Sequence, residues 1–359
     1  MLCGVATHIF PGKRALVCYL RPDFADTSGG FRLRPLVDLT RKKWRDKNMR
    51  PDLQFRSDTI SLYLGLTKVL QIRMDKKGNL HPWAAGAYRL QERGVQPFYA
   101  ADQCSDLMRH IEGFFGRVEV SDRYLSDEGR CQNWLSYRYG SARHPGCGEP
   151  VAIDREVVIG YTDTVEKGLL WDEPIRQQAR SLATSISEAH PELYGANLGR
   201  RPLGNELDLL MWTPQPTGAL LLGEVKGPKN AHGIYMAPVQ VAAYAMAWRH
   251  FAQAQSLEDV KALAAQKREL GLVVMDDSEW NQFVRSLAVP SFVPALIVQD
   301  PNPRSTCWKR LGEVMGHVST GWPKNWGMPL MDSFRIYTVD GPEGELEDHS
   351  EDCLSWGRA

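Results

Sequence analysis

The stretch from Glu206 to Gly227, ELDLLMWTPQPTGALLLGEVKG, decides the fold of this chain. Two apolar runs, LDLLMW and ALLLGEVKG, are separated by TPQPTG, whose prolines and glycine are typical of a turn. Because both runs are short and mostly apolar, they predict neighbouring strands buried on both faces of a central sheet. Asp208 lies inside the first run, and an unpartnered buried carboxylate is costly. We therefore expect Asp208 to contact a metal, a base or water.

The second run carries two polar side chains, Glu224 and Lys226. Side chains two residues apart on a strand point to the same face, so this pair meets Asp208 at one end of the sheet if the strands form a hairpin. Two carboxylates make a hard oxygen site suited to Mg²⁺. The lysine would orient and help deprotonate the attacking water, or neutralise charge on a phosphorane-like transition state. An exposed, salt-bridged edge strand is the structural alternative.

The flanking segments predict an α/β domain. Residues 155–161 (REVVIGY) favour a strand, and residues 171–190 have the spacing of an amphipathic helix with acids in its first turn. Residues 236–255 predict a long helix, and a short helix should separate two buried strands at 271–277 (GLVVMDD) and 294–300 (PALIVQD). This order predicts a mixed central sheet flanked by helices.

The first half of the chain predicts a β-rich domain. Residues 61–74, the turn-like DKKGN and residues 81–88 favour strand–turn–strand, residues 102–115 a helix, and RVEVSD at 117–122 a strand. We expect a β-rich recognition or regulatory domain at 1–150, a catalytic domain at 151–339 and an acidic tail at 340–359.

The formal net charge of zero conceals an uneven distribution. Residues 1–150 hold 24 Lys and Arg against 16 Asp and Glu, whereas residues 340–359 hold seven acids and one base. The glycines and proline of this tail predict poor order. It would either dock on a basic surface or act as a solubilising end.

Part of the positive surplus lies in RLRPLVDLTRKKWRDKNMR at 32–50, where Arg41, Lys42 and Lys43 precede Trp44. Basic residues with an aromatic among them suit phosphate neutralisation and base stacking. A solvated helix face is the alternative interpretation.

Composition and motifs exclude several classes. With 359 residues, 43% hydrophobic and 24% charged, the chain is not collagen-like, wholly disordered or a coiled coil. It has no apolar run of about 18 residues for a membrane span, and its amino terminus does not resemble a secretory signal. Seven scattered cysteines favour a reducing compartment, which we expect to be the cytoplasm. The sequence contains neither a P-loop nor a G-x-S-x-G elbow.

Asp208, Glu224 and Lys226 closely resemble the motif of the PD-(D/E)xK nuclease superfamily, which has the restriction-endonuclease-like fold. In that family an acid at the end of one strand is followed by (D/E)-x-K on the adjoining strand; here Leu207 replaces the motif's proline. The resemblance covers roughly residues 170–300. It implies Mg²⁺ or Mn²⁺ held by Asp208 and Glu224, with the carbonyl of Val225.

The resemblance extends to branches similar to the RecB and Cas4 nucleases, in which Q-x-x-x-Y follows on the next helix. Gln240 and Tyr244 match it, four residues apart on one helical face, although such a tyrosine is also typical of a packed core. A preceding helix often supplies another acid, for which Glu188, and less closely Glu192, is placed. His190 is in the position of the metal-binding histidine of those branches.

The resemblance implies a metal-dependent nuclease acting on DNA, with bacterial defence against foreign DNA as its role. Lys229, on the loop after the motif, would reach a substrate phosphate, or is an ordinary surface residue. The alternatives are a DNA repair or junction-processing nuclease, an RNA-directed nuclease, and a non-catalytic nucleic-acid-binding scaffold. Without a motor of its own, the chain would act alone or with a protein partner that supplies a motor or targeting. An oligomer is compatible with the sequence.

Two weaker groups of residues remain. Cys131, His144 and Cys147 would begin a zinc site, but no second ligand pair accompanies them, and free cysteines are expected. Asp276 and Asp277 end an apolar run and would add a metal ligand or simply form a turn.

Overall fold

The computed structural model of the chain contains two β-sheets with helices packed on them. It describes residues 33–45, 49–56, 59–91, 98–100, 102–161, 163–191, 206–214, 218–254, 257–321 and 333–356. Within these residues the architecture is α/β, as the sequence predicts, and no helix combines the length and apolarity needed to cross a membrane.

The first sheet is an antiparallel meander with the strand order β1-β2-β3-β4. Its apolar face packs against the first two helices and forms one hydrophobic cluster with them. The elements are α1 (Arg34–Thr40), β1 (Asp52–Arg56), β2 (Thr59–Leu64), β3 (Thr67–Met74), β4 (Leu80–Ala84), a 3₁₀ helix (Gly86–Gln91) and α2 (Cys104–Arg117).

The second sheet is mixed, with the strand order β10-β9-β8-β7-β6-β5. Strands β5, β6 and β7 form an antiparallel meander, β7, β8 and β9 are parallel, and β10 returns antiparallel at the edge. The strands are β5 (Val151–Val158), β6 (Glu206–Thr213), β7 (Ala219–Lys226), β8 (Phe292–Gln299), β9 (Arg335–Val339) and β10 (Leu346–Asp348).

Helices cover both faces of this sheet. They are α3 (Asp127–Arg138), α4 (Thr164–Lys167), a π-helical segment (Gly168–Arg176), α5 (Gln177–Ala189), α6 (Ala231–Ala254), α7 (Glu258–Glu269), α8 (Asp277–Ala288), α9 (Cys307–Gly321) and α10 (Ser350–Trp356). Strand β7 is buried along its whole length. Leu221 packs in the cluster of α3, whereas Leu220 and Leu222 pack in that of α6. The apolar run of β7 thus fills a central strand between two helical layers.

Helix α3 packs mainly against the second sheet. The hydrophobic cluster of the first sheet ends at Leu125. Helix α3 instead buries Cys131 and Leu135 against Leu209 and Val225 of the second sheet. The domain boundary predicted near residue 150 stays a prediction.

Two predicted strands are absent. Residues 117–122 follow α2 without strand structure, and Val118 and Val120 are buried in the first cluster. Residues 271–276 form a turn and an extended entry into α8, where Asp276 accepts a hydrogen bond from the Glu279 N–H as the helix N-cap. A short apolar run indicates that its residues are buried, but it does not by itself show that they pair with another strand. Asp276 therefore has a capping function.

The predicted disorder of the acidic tail is also wrong for residues 340–356. Strand β10 pairs with β9, and α10 buries Cys353 and places Trp356 with its ring 5.0 Å from that of Trp308. These apolar residues suffice to anchor a segment of high charge. Residues 357–359 lie outside the described part of the chain.

Candidate active site

Asp208 and Glu224 lie side by side on adjacent strands. Leu209 pairs with Gly223 in the antiparallel register, so the residues next to them, Asp208 and Glu224, are also opposite. The main-chain N–H of Val225 donates a hydrogen bond to Asp208 Oδ2 at 2.9 Å. The hairpin predicted from the sequence therefore brings the two carboxylates together.

Glu224 and Lys226 form a buried ion pair at the end of β7. Their residues are only 1% and 7% exposed. The Lys226 ammonium group donates to Glu224 Oε1, and also to the carbonyl of Val225 at 3.1 Å. Among the described residues, none donates to the buried Glu224 Oε2. A buried carboxylate oxygen without a partner is costly, and a bound cation would remove that cost.

Glu128 is a further acid of the site that the sequence analysis missed. It lies in the first turn of α3, where the Asn230 side chain and the Gly227 backbone lower its pKa. Burial raises the pKa of Glu128, Lys226 opposes that rise and Asp208 adds to it. A Cβ at Gly227 would lie 3.3 Å from the Glu128 nitrogen, so a glycine suits this close approach. The sequence signal is Ser126 followed by two acids, which is typical of a helix start.

The electrostatics of the site raise the pKa of both Glu224 and Lys226. Burial raises the pKa of Glu224 to about 8, the Asp208 charge adds to this rise, and Lys226 opposes it. Burial lowers the pKa of Lys226, but Glu224, Asp208 and Glu128 outweigh it and raise that pKa overall. A lysine that holds its proton this firmly is suited to stabilising negative charge and not to acting as a general base.

Mn²⁺ held by these carboxylates would stabilise the protein more as the pH rises. The pKa of Glu224 is about 8 in the folded chain against an ordinary value of 4.5, so the stability that this carboxyl contributes to the metal-free protein is lost as the pH rises through 8. A metal ligand must be deprotonated, so the proton competes with Mn²⁺. The gain in midpoint unfolding temperature on adding Mn²⁺ should therefore grow between about pH 6 and about pH 9.

Glu224→Gln should lose both the gain and its dependence on pH, whereas Glu258→Gln, at an exposed position on α7, should retain both. A wild-type gain that stays constant over this pH range would contradict the expectation.

Gln240 and Tyr244 lie on α6, on the face of the sheet that carries the site. Gln240 Nε2 donates to the Tyr244 hydroxyl at 2.9 Å, and Tyr244 is buried. Burial raises the pKa of Tyr244 well above 10, and the charges of Glu224 and Asp208 raise it further. The structure thus places this tyrosine close to the carboxylates, where it supports the site from within the core.

Three further residues that the resemblance implies lie on or next to α5 and in the turn after β7. Glu188 is exposed near the end of α5, and it is not among the charges that act most strongly on Glu224 or Lys226. His190 Nε2 lies 3.3 Å from His317 Nε2 of α9. Lys229 is exposed in the turn between β7 and α6. Glu192 is outside the described residues.

The basic segment presents its charges at the surface and buries its aromatic residue. Arg41, Lys42 and Lys43 are exposed, and their ion-pair partners are Asp38, Glu112 and Glu343, at 3.5, 3.4 and 3.3 Å respectively. Trp44 is only 5% exposed and donates its indole N–H to the Phe115 carbonyl at 2.9 Å. The Trp44 ring packs in the first hydrophobic cluster, so base stacking by Trp44 stays a prediction. Arg32 and residues 46–48 lie outside the described part.

The donor set at the carboxylates suits a hard cation that keeps part of its water. Two carboxylates and the Val225 carbonyl are oxygen donors of the kind that Mg²⁺ and Mn²⁺ take. In the described part of the chain, no group of three or more His, Cys, Asp or Glu side chains is arranged to hold a metal. The zinc site suggested by Cys131, His144 and Cys147 is therefore not formed in this part of the chain either. Cys131 is buried, and Cys147 is an exposed free thiol.

No protein-family model, no curated protein and no solved structure matches the chain.

Proposed function

We propose that this protein is a Mg²⁺- or Mn²⁺-dependent nuclease that hydrolyses phosphodiester bonds of DNA. One observation carries the proposal: the buried Glu224 Oε2 has no hydrogen-bond donor among the described residues, beside Asp208 on the adjacent strand. Asp208 on β6 and the Glu224-x-Lys226 sequence on β7 lie at the same end of the buried sheet, and the Lys226 ammonium group is bonded to Glu224.

The order of elements around the site supports a restriction-endonuclease-like core. Helix α3 precedes the antiparallel meander β5-β6-β7, and α6 then leads on to β8, which pairs in parallel with β7. The resemblance also includes an acid supplied by a helix before the motif. We assign that part to Glu128 of α3 in place of Glu188, because Glu128 lies close enough to Lys226 and Asp208 for their charges to shift its pKa.

In the proposed mechanism, Asp208, Glu224 and the Val225 carbonyl hold the metal ion. The bound ion would polarise the phosphate, lower the pKa of a water molecule and stabilise the leaving oxygen. Lys226 would hold its proton and neutralise negative charge that develops on the phosphate, in a setting where burial strengthens that interaction. Glu128 would keep Lys226 charged. Tyr244 would close the apolar side of the site as a neutral phenol.

Incubation with supercoiled plasmid, linear duplex, single-stranded DNA and RNA tests the reaction and the substrate together. We expect Mg²⁺- or Mn²⁺-dependent cleavage of duplex DNA that stops on addition of EDTA, because the carboxylates alone do not activate water. Plasmid nicking would identify an endonuclease. Cleavage of RNA alone would contradict the DNA assignment, and intact substrates throughout would contradict hydrolysis.

A further inference from the structure

The β2–β3 hairpin of the first sheet docks closely on the segment that begins α3. The Leu66 N–H donates to the Tyr124 carbonyl at 2.9 Å, and the Arg155 guanidinium of β5 donates to the Gly65 carbonyl. Gly65 has a φ of +58°, and a Cβ there would lie 2.0 Å from the Tyr124 oxygen, so this position requires glycine. The first sheet therefore extends to the element that carries Glu128.

A second acidic residue links this hairpin to the candidate active site. Arg155 pairs with Leu209 and Val157 with Leu207, which places Glu156 of β5 opposite Asp208. Burial raises the pKa of Glu156, and the charges of Glu206 and Asp208 raise it further. Glu156 thus lies on the edge strand of the sheet, opposite Asp208 and close enough to interact with its charge.

Lys68 of β3 lies near this acidic position. It pairs with Tyr63 where the β2–β3 register shifts, and a β-bulge of this kind re-aims a side chain. Burial lowers the pKa of Lys68, Arg56 adds to that effect, and the charges of Glu156 and Glu206 oppose it. Lys68 is therefore close to the acids that adjoin Asp208.

Unlike the neighbouring cations, Lys68 has no hydrogen-bond or ion-pair partner among the described residues. Arg56 donates to Asp154 and to the carbonyls of Arg155 and Glu156, and Lys226 is bonded to Glu224. Across the residues that the structure describes, the Lys68 ammonium group forms neither a hydrogen bond nor an ion pair, and the residue is half-buried. A half-buried lysine without a partner is suited to an anionic ligand.

We propose that the β2–β3 hairpin forms one wall of the cleft leading to Asp208 and that Lys68 binds a phosphate of the DNA backbone next to the scissile one. This inference rests on the proposed nuclease function. It gives the first sheet a place in substrate binding beside the active site, distinct from the surface segment at 32–50.

The test measures the binding of a DNA duplex with Ca²⁺ in place of Mg²⁺, over a range of salt concentrations. Lys68→Ala should weaken binding about tenfold and reduce the slope of log affinity against log salt by about one, because one phosphate contact is lost. Lys68→Arg should restore most of the affinity. Lys77→Ala, at an exposed position in the β3–β4 turn, should bind as the wild type does. Thermal unfolding of each variant checks its fold.

Unchanged affinity and slope for Lys68→Ala would overturn the inference, as would an equal loss for Lys77→Ala or an absence of DNA binding by the wild type. These outcomes are distinguishable from failure of the nuclease proposal, because binding in Ca²⁺ does not require hydrolysis. If Lys68→Ala weakens binding while the wild type leaves DNA intact in Mg²⁺, the phosphate contact is supported and the nuclease proposal is contradicted.

Discussion

Asp208→Asn is expected to cleave DNA about a thousandfold more slowly than the wild type in Mg²⁺. A metal ion supplies several kcal/mol of transition-state stabilisation, and about 1.4 kcal/mol corresponds to a factor of ten in rate. An asparagine oxygen still accepts the hydrogen bond from the Val225 N–H, so the hairpin geometry is preserved. The single-turnover cleavage rate, measured with excess protein, reports the effect directly.

The fold of Asp208→Asn should remain intact. The substitution removes one negative charge beside Glu224 and leaves Glu224 and Glu128 to balance Lys226, so we expect a midpoint unfolding temperature within about 3 °C of the wild type. Glu258→Gln is the matched control, since it removes an acid at an exposed helix position. A folded Asp208→Asn protein with the wild-type cleavage rate would exclude Asp208 as a metal ligand.

Lys226→Met is expected to lower the single-turnover rate by about a hundredfold to a thousandfold while Mn²⁺ still binds. Loss of one preorganised charge at the reacting group is typically of this size. The substitution leaves Glu224 without its ion-pair partner, and the pKa of Glu224 should therefore rise further above 8. Calorimetric titration of both proteins with Mn²⁺ at several pH values separates competition between the proton and the metal at Glu224 from the effect of the substitution on catalysis.

Lys261→Met, which removes a partly exposed lysine from α7, serves as the matched control. The proposed role of Lys226 is contradicted if Lys226→Met cleaves as fast as the wild type. A loss of Mn²⁺ binding together with activity would show instead that the lysine organises the metal site and does not act on the phosphate.

The sequence predicted the centre of the fold because its strongest pattern is local. A turn rich in proline and glycine between two apolar runs specifies the β6–β7 hairpin, and this hairpin alone brings Asp208 beside Glu224. The same apolar signal was misleading at 117–122 and 271–276, where the side chains are buried by helices of the surroundings. Burial is readable from composition, whereas pairing with a neighbouring strand depends on residues far away in the chain.

Residues whose position depends on long-range packing were not predictable. Glu128 reaches Lys226 only because α3 packs across the second sheet, and its sequence shows no more than a helix start. Trp44 lies among basic residues, but its burial depends on the contact with Phe115 of α2. The sequence around Lys68 is that of an ordinary strand, and only the packing of the first sheet against β5 brings Lys68 near Glu156.

The acidic tail illustrates the same limit. Its charge predicts repulsion and disorder, yet a few apolar residues and one strand pairing order residues 340–356. Arg138 forms an ion pair with Glu345 at 2.8 Å, and Lys43 pairs with Glu343. The positive and negative segments that cancel in the net charge are therefore partly in contact.

The most direct test of the nuclease proposal compares the wild type with the Asp208→Asn, Glu224→Gln double variant on supercoiled DNA in Mg²⁺. Both proteins are first shown to be folded by thermal unfolding. We predict cleavage by the wild type that EDTA abolishes, and no cleavage by the double variant above the rate in buffer, since both carboxylate ligands are lost. A folded double variant that cuts DNA at the wild-type rate would contradict the proposed active site.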